Sequence, residues 1–317
     1  MLGWIYDVTR LDSIYSKKLY NLVRPQYTSV VCSGHSGSTL LSLCLNMQSD
    51  IAVFGEFETL PKRIRRMRGE TDGLCSFHKE SCAVINTAEI KVLARLYGGQ
   101  ESWYRSILRG LMHPYYIFHY RRLRSVKIIV DSSKSVRWAS QVWRRYRWIF
   151  DQRFIILHRD PRGVVASFIR RGETANEQIR HRAQCWSEEQ RQIRALITRL
   201  PRLRYHQVFY EKLASNPELE VRRICRFMDV EFSRELLEFE GGEHHIIGGN
   251  AGTRARIGKR AGKRINSNRS DIGYYLEQSN PIFLDERWKQ DLTLGQKRLI
   301  ESTCRSEMHR LGYLVET

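Results

Sequence analysis

Thr28-Ser-Val-Val-Cys-Ser33, followed by Gly34-His35-Ser36-Gly37-Ser38-Thr39-Leu-Leu-Ser-Leu-Cys-Leu-Asn-Met47, is the stretch on which the fold turns. Its first six residues are β-branched or apolar and end at a glycine, which predicts a buried strand entering a turn. The residues from Ser38 to Met47 are apolar at helical spacing and open on hydroxyl side chains suited to a first turn. A strand that runs through a Ser/Gly turn into a helix N-terminus is a phosphate cradle by construction. Glycines let the backbone approach a ligand, successive N–H groups point outward, and the helix dipole adds partial positive charge. Hydroxyls of Ser36, Ser38 and Thr39 add donors for anionic oxygens. The turn lacks the lysine of a G-x-x-x-x-G-K-[ST] loop, because Ser38 follows the second glycine, so a nucleoside triphosphatase is not expected.

The unit repeats along the chain. Ile51 to Phe54 reads as a short strand closed by Gly55, Val126 to Val130 and Phe154 to Leu157 as further buried strands, and Tyr205 to Phe209 as the last. Helical patterns follow at Glu177 to Leu200, Leu219 to Met228 and Leu294 to Leu311. Strand, turn and helix in alternation predict an α/β, P-loop-like three-layer domain with a central parallel sheet flanked by helices. With seven prolines and no repeat or linker, residues 1–317 read as one domain. Residues 1–27 read as a helical extension, and 241–270, rich in glycine and basic residues, as a long surface segment that could serve as a mobile lid.

The chain carries 53 Lys+Arg against 34 Asp+Glu, a formal net charge of +19, with 42% hydrophobic residues. That much apolar content excludes disorder, so the basic excess decorates a globular protein and points to an acidic partner. Charge alone leaves open a polyanion, an anionic membrane surface or a phosphorylated small molecule. No apolar run approaches the ~18 residues of a spanning helix, and Asp7, Arg10 and Asp12 interrupt what would be the core of an export signal. Seven scattered cysteines suit a reducing compartment, and the expected location is cytoplasmic. Cys75, His78 and Cys82 offer three metal ligands, but no fourth follows at zinc-like spacing, so they read as thiols and no metal is expected.

A second polar turn follows the strand at Phe154: His158-Arg159-Asp160-Pro161-Arg162-Gly163-Val-Val-Ala-Ser167. Asp160 is placed to cap a helix with Pro161 at its first position, while Arg159 and Ser167 are placed to converge on a second phosphate. These two turns, in this order, resemble the sulfotransferases that use 3′-phosphoadenosine 5′-phosphosulfate (PAPS). The first is similar to their 5′-phosphosulfate loop and the second to their 3′-phosphate motif. Val130-Asp131-Ser-Ser-Lys134 resembles a turn whose lysine contacts the transferring sulfuryl group in carbohydrate and tyrosylprotein-type members. Tyr210-Glu211, with Asn216-Pro217 behind it, resembles a segment whose tyrosine lies near the adenine. His244-His245-Ile-Ile-Gly248-Gly249-Asn250 resembles an element that closes over the cofactor in bacterial members.

The resemblance spans roughly residues 28–230 and implies a set of roles. Gly34, His35, Ser36, Gly37, Ser38, Thr39, Arg159, Ser167, Tyr210 and Asn250 would bind PAPS, and Lys134 and His35 would meet the transferring group. Glu56 would be the general base, with Glu58 its competitor two residues on. No metal is needed where cations suffice. His35 stands where the family has lysine or arginine, so either it titrates near neutral pH or it stays neutral and leaves the charge to Lys134. The acceptor would be a hydroxyl of a carbohydrate, glycolipid, phenol, peptidyl tyrosine or metabolite. It would be selected by the basic and aromatic region from about Leu60 to Arg124. Two other readings compete. The charge alone fits a nucleic-acid or anionic-surface binder, but that leaves both phosphate turns unexplained. His158-Arg159-Asp160 mimics a kinase triplet, but Val165 stands where a kinase has asparagine and no D-F-G follows.

Overall fold

The structure, a computed structural model, describes residues 24–66, 74–78, 81–85, 88–97, 102–200, 202–262 and 270–314. Five strands build the centre: β1 (Gln26–Cys32), β2 (Ile51–Gly55), β3 (Ile128–Lys134), β4 (Asp151–His158) and β5 (Arg204–Phe209). They pair in the order β2-β3-β1-β4-β5, every pair parallel. α1 (Ser38–Leu45) joins β1 to β2. Between β2 and β3 lie α2 (Leu60–Arg66), α3 (Ala88–Tyr97) and α4 (Trp103–Arg124), and α5 (Val136–Tyr146) joins β3 to β4. α6 (Pro161–Ile169) and α7 (Asn176–Arg199) lead to β5. After it come α8 (Tyr210–Ser215), α9 (Pro217–Met228), α10 (Ala251–Arg260), α11 (Ser270–Glu277), α12 (Trp288–Asp291) and α13 (Leu294–Leu311).

The unbroken apolar runs of the strands have a simple cause, since both faces of the sheet are covered. Val30 and Cys32 of β1 point into a core formed with α1, α8 and α9. Their neighbours in the strand face the other way: Tyr27 into an aromatic cluster with Phe57, Tyr116, Tyr120, Trp138 and Tyr146, and Val31 against α5 and α7. The sequence between Leu60 and Arg124, read above for specificity, divides its aromatic residues: Tyr116 and Tyr120 join this layer, while Trp103, Tyr104, Tyr115 and Phe118 are exposed. The stretch 241–270 also departs from the surface segment expected. His244, His245, Ile246 and Ile247 are buried, Ile247 bridges to Gly55 at the end of β2, and α10 follows. Residues 263–269, the end of the basic run, and 1–23, most of the expected N-terminal extension, lie outside the described residues, while Gln26 and Tyr27 already belong to β1.

The strand order fixes where a ligand can bind. The connection leaving β1 runs to one side of the sheet and that leaving adjacent β4 runs to the other, which opens a crevice at their C-terminal ends. β3 reaches the same edge with a register irregularity: Ser29 pairs with Asp131 and Val31 with Lys134, so β3 carries an extra residue there. The bulge and a φ of 73° at Lys134 re-aim that side chain toward the end of β2.

Asp131 does not cap the helix that follows it. Ser135 caps α5, accepting from Trp138 N at 3.1 Å. Asp131 lies buried and accepts bonds from Tyr27 Oη and Trp138 Nε1, each at 2.7 Å, and from Ser133 N at 2.9 Å. It pins β1, β3 and α5 beneath the crevice. Asp131→Ala leaves two buried donors unpaired and is expected to cost roughly 3 kcal/mol in urea unfolding. A loss under about 0.5 kcal/mol, the scatter of neutral surface substitutions, would show that this network does not hold the sheet.

Candidate active site

The crevice brings together residues from six separate stretches of the chain. Gly34, His35, Gly37, Ser38 and Thr39 of the β1–α1 turn line it with Glu56, Lys134, Arg159, Ser167, Tyr210 and Asn250. Ser36 lies within the turn, buried, with its hydroxyl lacking a partner among the described residues. Glu58 is exposed and outside the cleft, its backbone N–H bonded to Ser133 Oγ at 2.9 Å.

The turn is shaped by close contact. Gly37 has a φ of 92°, and a Cβ there would sit 2.7 Å from Tyr210 Cδ2, so glycine is required on both counts. His35 takes a φ of 62° and its carbonyl accepts from Arg159 Nη1 at 2.8 Å. Its ring packs edge-on against Phe168, and Nε2 accepts from Arg171 Nη1 at 3.0 Å. Burial, then the charges of Arg171, Lys134, Arg159 and Arg170, push its pKa down to about 3. Of the two roles left open by the sequence, titration near neutrality is therefore the one the surroundings oppose.

Glu56 and Lys134 face each other across the ends of β2 and β3, Lys134 Nζ donating to Glu56 Oε1 at 2.5 Å. Arg63 Nη2 donates to the other oxygen at 3.1 Å, and Gly249 N approaches Oε1 at 3.3 Å. Burial works to raise the Glu56 pKa, but Lys134 and Arg63 outweigh it and hold the carboxyl below its ordinary value. Glu56 is thus ionised and able to take a proton. Among the described residues, Arg63 is what the Leu60 to Arg124 region contributes here. Asn250 caps α10, accepting from Thr253 N at 3.1 Å, while its own N–H donates to Thr39 Oγ1 at 2.8 Å.

At the other end, Arg159 is buried and donates from Nη2 to the Asp285 carbonyl at 3.1 Å. Its guanidinium lies 4.2 Å from the centre of the Tyr210 ring. Tyr210 itself binds backbone, donating to Phe283 O at 3.3 Å and accepting from Asp285 N at 3.0 Å. Asp160 caps α6 as read, accepting from Arg162 N at 2.8 Å, and Glu211 receives the Asp160 N–H at 2.9 Å. Ser167 Oγ donates to Gly163 O at 3.0 Å and accepts from Arg170 Nη2 at 3.3 Å.

The sequence reading missed Arg170, Arg171, Tyr275, Phe283 and Arg287 of this wall, while Arg256 belongs to the basic segment read above as a lid. Tyr275, Phe283 and Arg287 come from α11 and the stretch after it, where the sequence carries no motif, so only the fold reveals them. Asp285 ties them in. Burial alone would raise its pKa, but Arg287, Arg159 and Arg170 hold it at about 2. A cleft with this many cations, an unpartnered hydroxyl in a glycine turn and two aromatic rings fits a multiply anionic nucleotide.

Residues 29–234 match the profile of the Sulfotransferase family. Two curated relatives, named provisionally as protein-tyrosine sulfotransferases, come from Caenorhabditis briggsae and Caenorhabditis elegans. The first is 30% identical over 117 residues, 35% of this chain and 38% of the relative, and the second 31% over 108 residues, 32% and 40%. The match thus spans about two-fifths of each relative's length. Among solved structures, the sulfotransferase domain of the curacin biosynthetic pathway covers 79% of this chain and 96% of its own, at 17% identity and a TM-score of 0.48. That of the Synechococcus PCC 7002 olefin synthase covers 88% and 94%, at 19% and 0.47. Likeness at this distance carries no residue role across.

The His35 environment has a measurable signature. With a pKa of about 3 against an ordinary 6.5, His35 binds fewer protons folded than unfolded. It therefore withdraws stability as pH falls from 6.5 toward 3 and nothing above that window. His35→Gln is expected to flatten the acid side of the stability curve while leaving the neutral range unchanged. A step in wild-type activity at neutral pH that vanishes in His35→Gln would overturn the neutral assignment.

Proposed function

Because the chain belongs to the sulfotransferase family, we propose that it moves a sulfuryl group from PAPS to a hydroxyl acceptor, with Glu56 as general base. One observation carries this reading. A single cleft holds a helix-N-terminal glycine turn, a half-buried Glu56–Lys134 pair and the Arg159–Ser167 turn. A bis-phosphorylated, sulfated nucleotide has an anionic group for each cationic station, and PAPS supplies the sulfuryl group that is transferred.

The N–H groups at the start of α1, with the hydroxyls of Ser38 and Thr39, would bind the 5′ end, and Arg159 and Ser167 the 3′-phosphate. Tyr210, Tyr275 and Phe283 line the same cleft and would flank the base. Arrival of the phosphosulfate draws Lys134 onto its oxygens. Glu56 then loses its closest cation and becomes a stronger base, just as an acceptor hydroxyl needs one. The acceptor proton passes to Glu56, an oxygen–sulfur bond forms to the acceptor, and the sulfur–oxygen bond to the 5′-phosphate breaks. The acceptor class favoured by the nematode relatives' names is a peptidyl tyrosine, which places a phenol first among those to try.

The expected result is that 3′-phosphoadenosine 5′-phosphate raises the melting temperature far more than ADP does, and that Arg159→Ala abolishes the difference. Equal response to both nucleotides would sink the reading. Glu56→Gln should lower kcat by roughly a hundredfold or more. It should also bind the nucleotide at least as tightly as wild type, because Lys134 and Arg63 are then left without their carboxylate. Full activity in this variant moves the base elsewhere.

A further inference from the structure

Cys75, His78, Cys82 and His245 meet at one point away from the cleft. One ligand atom from each lies within 4.8 Å of all the others. The first three come from a single short segment, Cys-x-x-His-x-x-x-Cys, and the fourth arrives from 163 residues further on, carried by the segment in which Ile247 bridges to Gly55. No spacing rule could have supplied His245. The fold does, and it turns three candidate ligands into a complete set.

We propose that these residues form a structural zinc site of Cys2His2 type. Tetrahedral zinc with sulfur at about 2.3 Å and nitrogen at about 2.0 Å sets neighbouring ligand atoms roughly 3.3–3.8 Å apart. Cys75 Sγ stands 3.7 Å from His78 Nδ1, and Cys82 Sγ 3.3 Å from His245 Nδ1. The two imidazoles lie side by side, ring centres 4.5 Å apart, with both Nε2 atoms toward one carboxylate. Glu243 Oε1 is 3.0 Å from that of His245 and 3.9 Å from that of His78. A carboxylate on the Nε2–H side fixes the tautomer that leaves Nδ1 free for metal, the arrangement of histidine ligands in zinc proteins. The His78 backbone N–H also approaches Cys75 Sγ at 3.5 Å, a contact suited to a thiolate.

Burial and charge agree. Cys75, Cys82 and His245 are buried. On binding, the two thiols release their protons to solvent and their thiolates cancel the dication, so the filled site adds no net charge to the interior. Four protein ligands leave no open position, which marks the site as structural rather than catalytic.

Its place in the fold gives it a task. The ligand-bearing segments are already in register: Ser76 N donates to Ile246 O at 2.8 Å, and Ser76 Oγ exchanges bonds of 2.9 Å with Gly248 in both directions. Gly248 lies against Glu56, where a Cβ would come within 2.5 Å of its carboxyl carbon. The metal would clip Cys75, His78 and Cys82 to the strap at 243–249, and the strap backs the Glu56 carboxylate.

The test uses the full-length protein, expressed with zinc in the medium and purified without chelator. Mass-spectrometric metal analysis is expected to find one zinc per chain. Stripped protein loaded with cobalt(II) should show thiolate-to-cobalt charge transfer in the near ultraviolet and the intense visible bands of a tetrahedral S2N2 site. Cys82→Ser and His245→Ala should lose the zinc, whereas Cys185→Ser, altering a thiol outside the cluster, should keep it. Because buried substitutions can prevent folding, the wild-type cobalt spectrum decides. Absence of zinc together with absence of that spectrum overturns the proposal, and so does zinc retained in both ligand variants, or a Cys75–Cys82 disulfide in the native protein.

Discussion

The buried guanidinium of Arg159 is the contact on which the cleft depends. It leaves the end of β4, holds the His35 carbonyl on one side, the Asp285 carbonyl on the other, and lies over the Tyr210 ring. Four stretches distant in sequence, the β1–α1 turn, β4, the start of α8 and the C-terminal segment, are thereby fixed relative to one another. A planar, permanently charged group with five donors suits this task, and lysine could neither reach all three partners nor stack on the ring. The same group faces the cleft, so the residue that assembles the site is also the one placed to meet the ligand's charge.

This double duty explains which parts were legible in sequence. The turns at Gly34–Thr39 and Arg159–Ser167 announce themselves because a strand, a turn and a helix start leave a local pattern within a dozen residues. Glu56 and Lys134 were legible through resemblance, and the structure adds that they contact each other. The wall made by Tyr275, Phe283, Asp285 and Arg287 was not legible, since nothing local distinguishes residues that matter only through contact with Arg159 and the cleft. The meeting of His245 with Cys75, His78 and Cys82 was hidden for the same reason. Conversely, Tyr116 and Tyr120 are core while Tyr115 and Phe118 of the same helix are exposed, a division that cannot be assigned along a helix whose neighbours are unknown.

The formal charge of +19 gains a partial location. Arg159, Arg170, Arg171, Arg256, Arg287 and Lys134 all border one cleft. Such crowding is tolerable because carboxylates are interleaved with it: Asp285 serves three of the arginines and Glu56 serves Lys134 with Arg63. An incoming polyanion therefore competes with built-in counterions, and its affinity reflects the difference between the two sets of contacts rather than the number of cations.

The bridge between Ile247 and Gly55 reaches beyond the site it supports. β2 is an outer strand, and a parallel sheet ending in an apolar run such as Ile51–Gly55 presents a template for another chain. The strap lies along the end of that strand nearest the cleft, with Glu56 N donating to Ile247 O and Ile247 N to Phe54 O. The opposite border, β5, is guarded by composition instead, with exposed Arg204 and Tyr205 in place of buried aliphatics. One edge of the sheet is thus closed by covalent continuation of the chain and the other by charge. Loosening the strap would uncover a sticky border as well as disturb the chemistry.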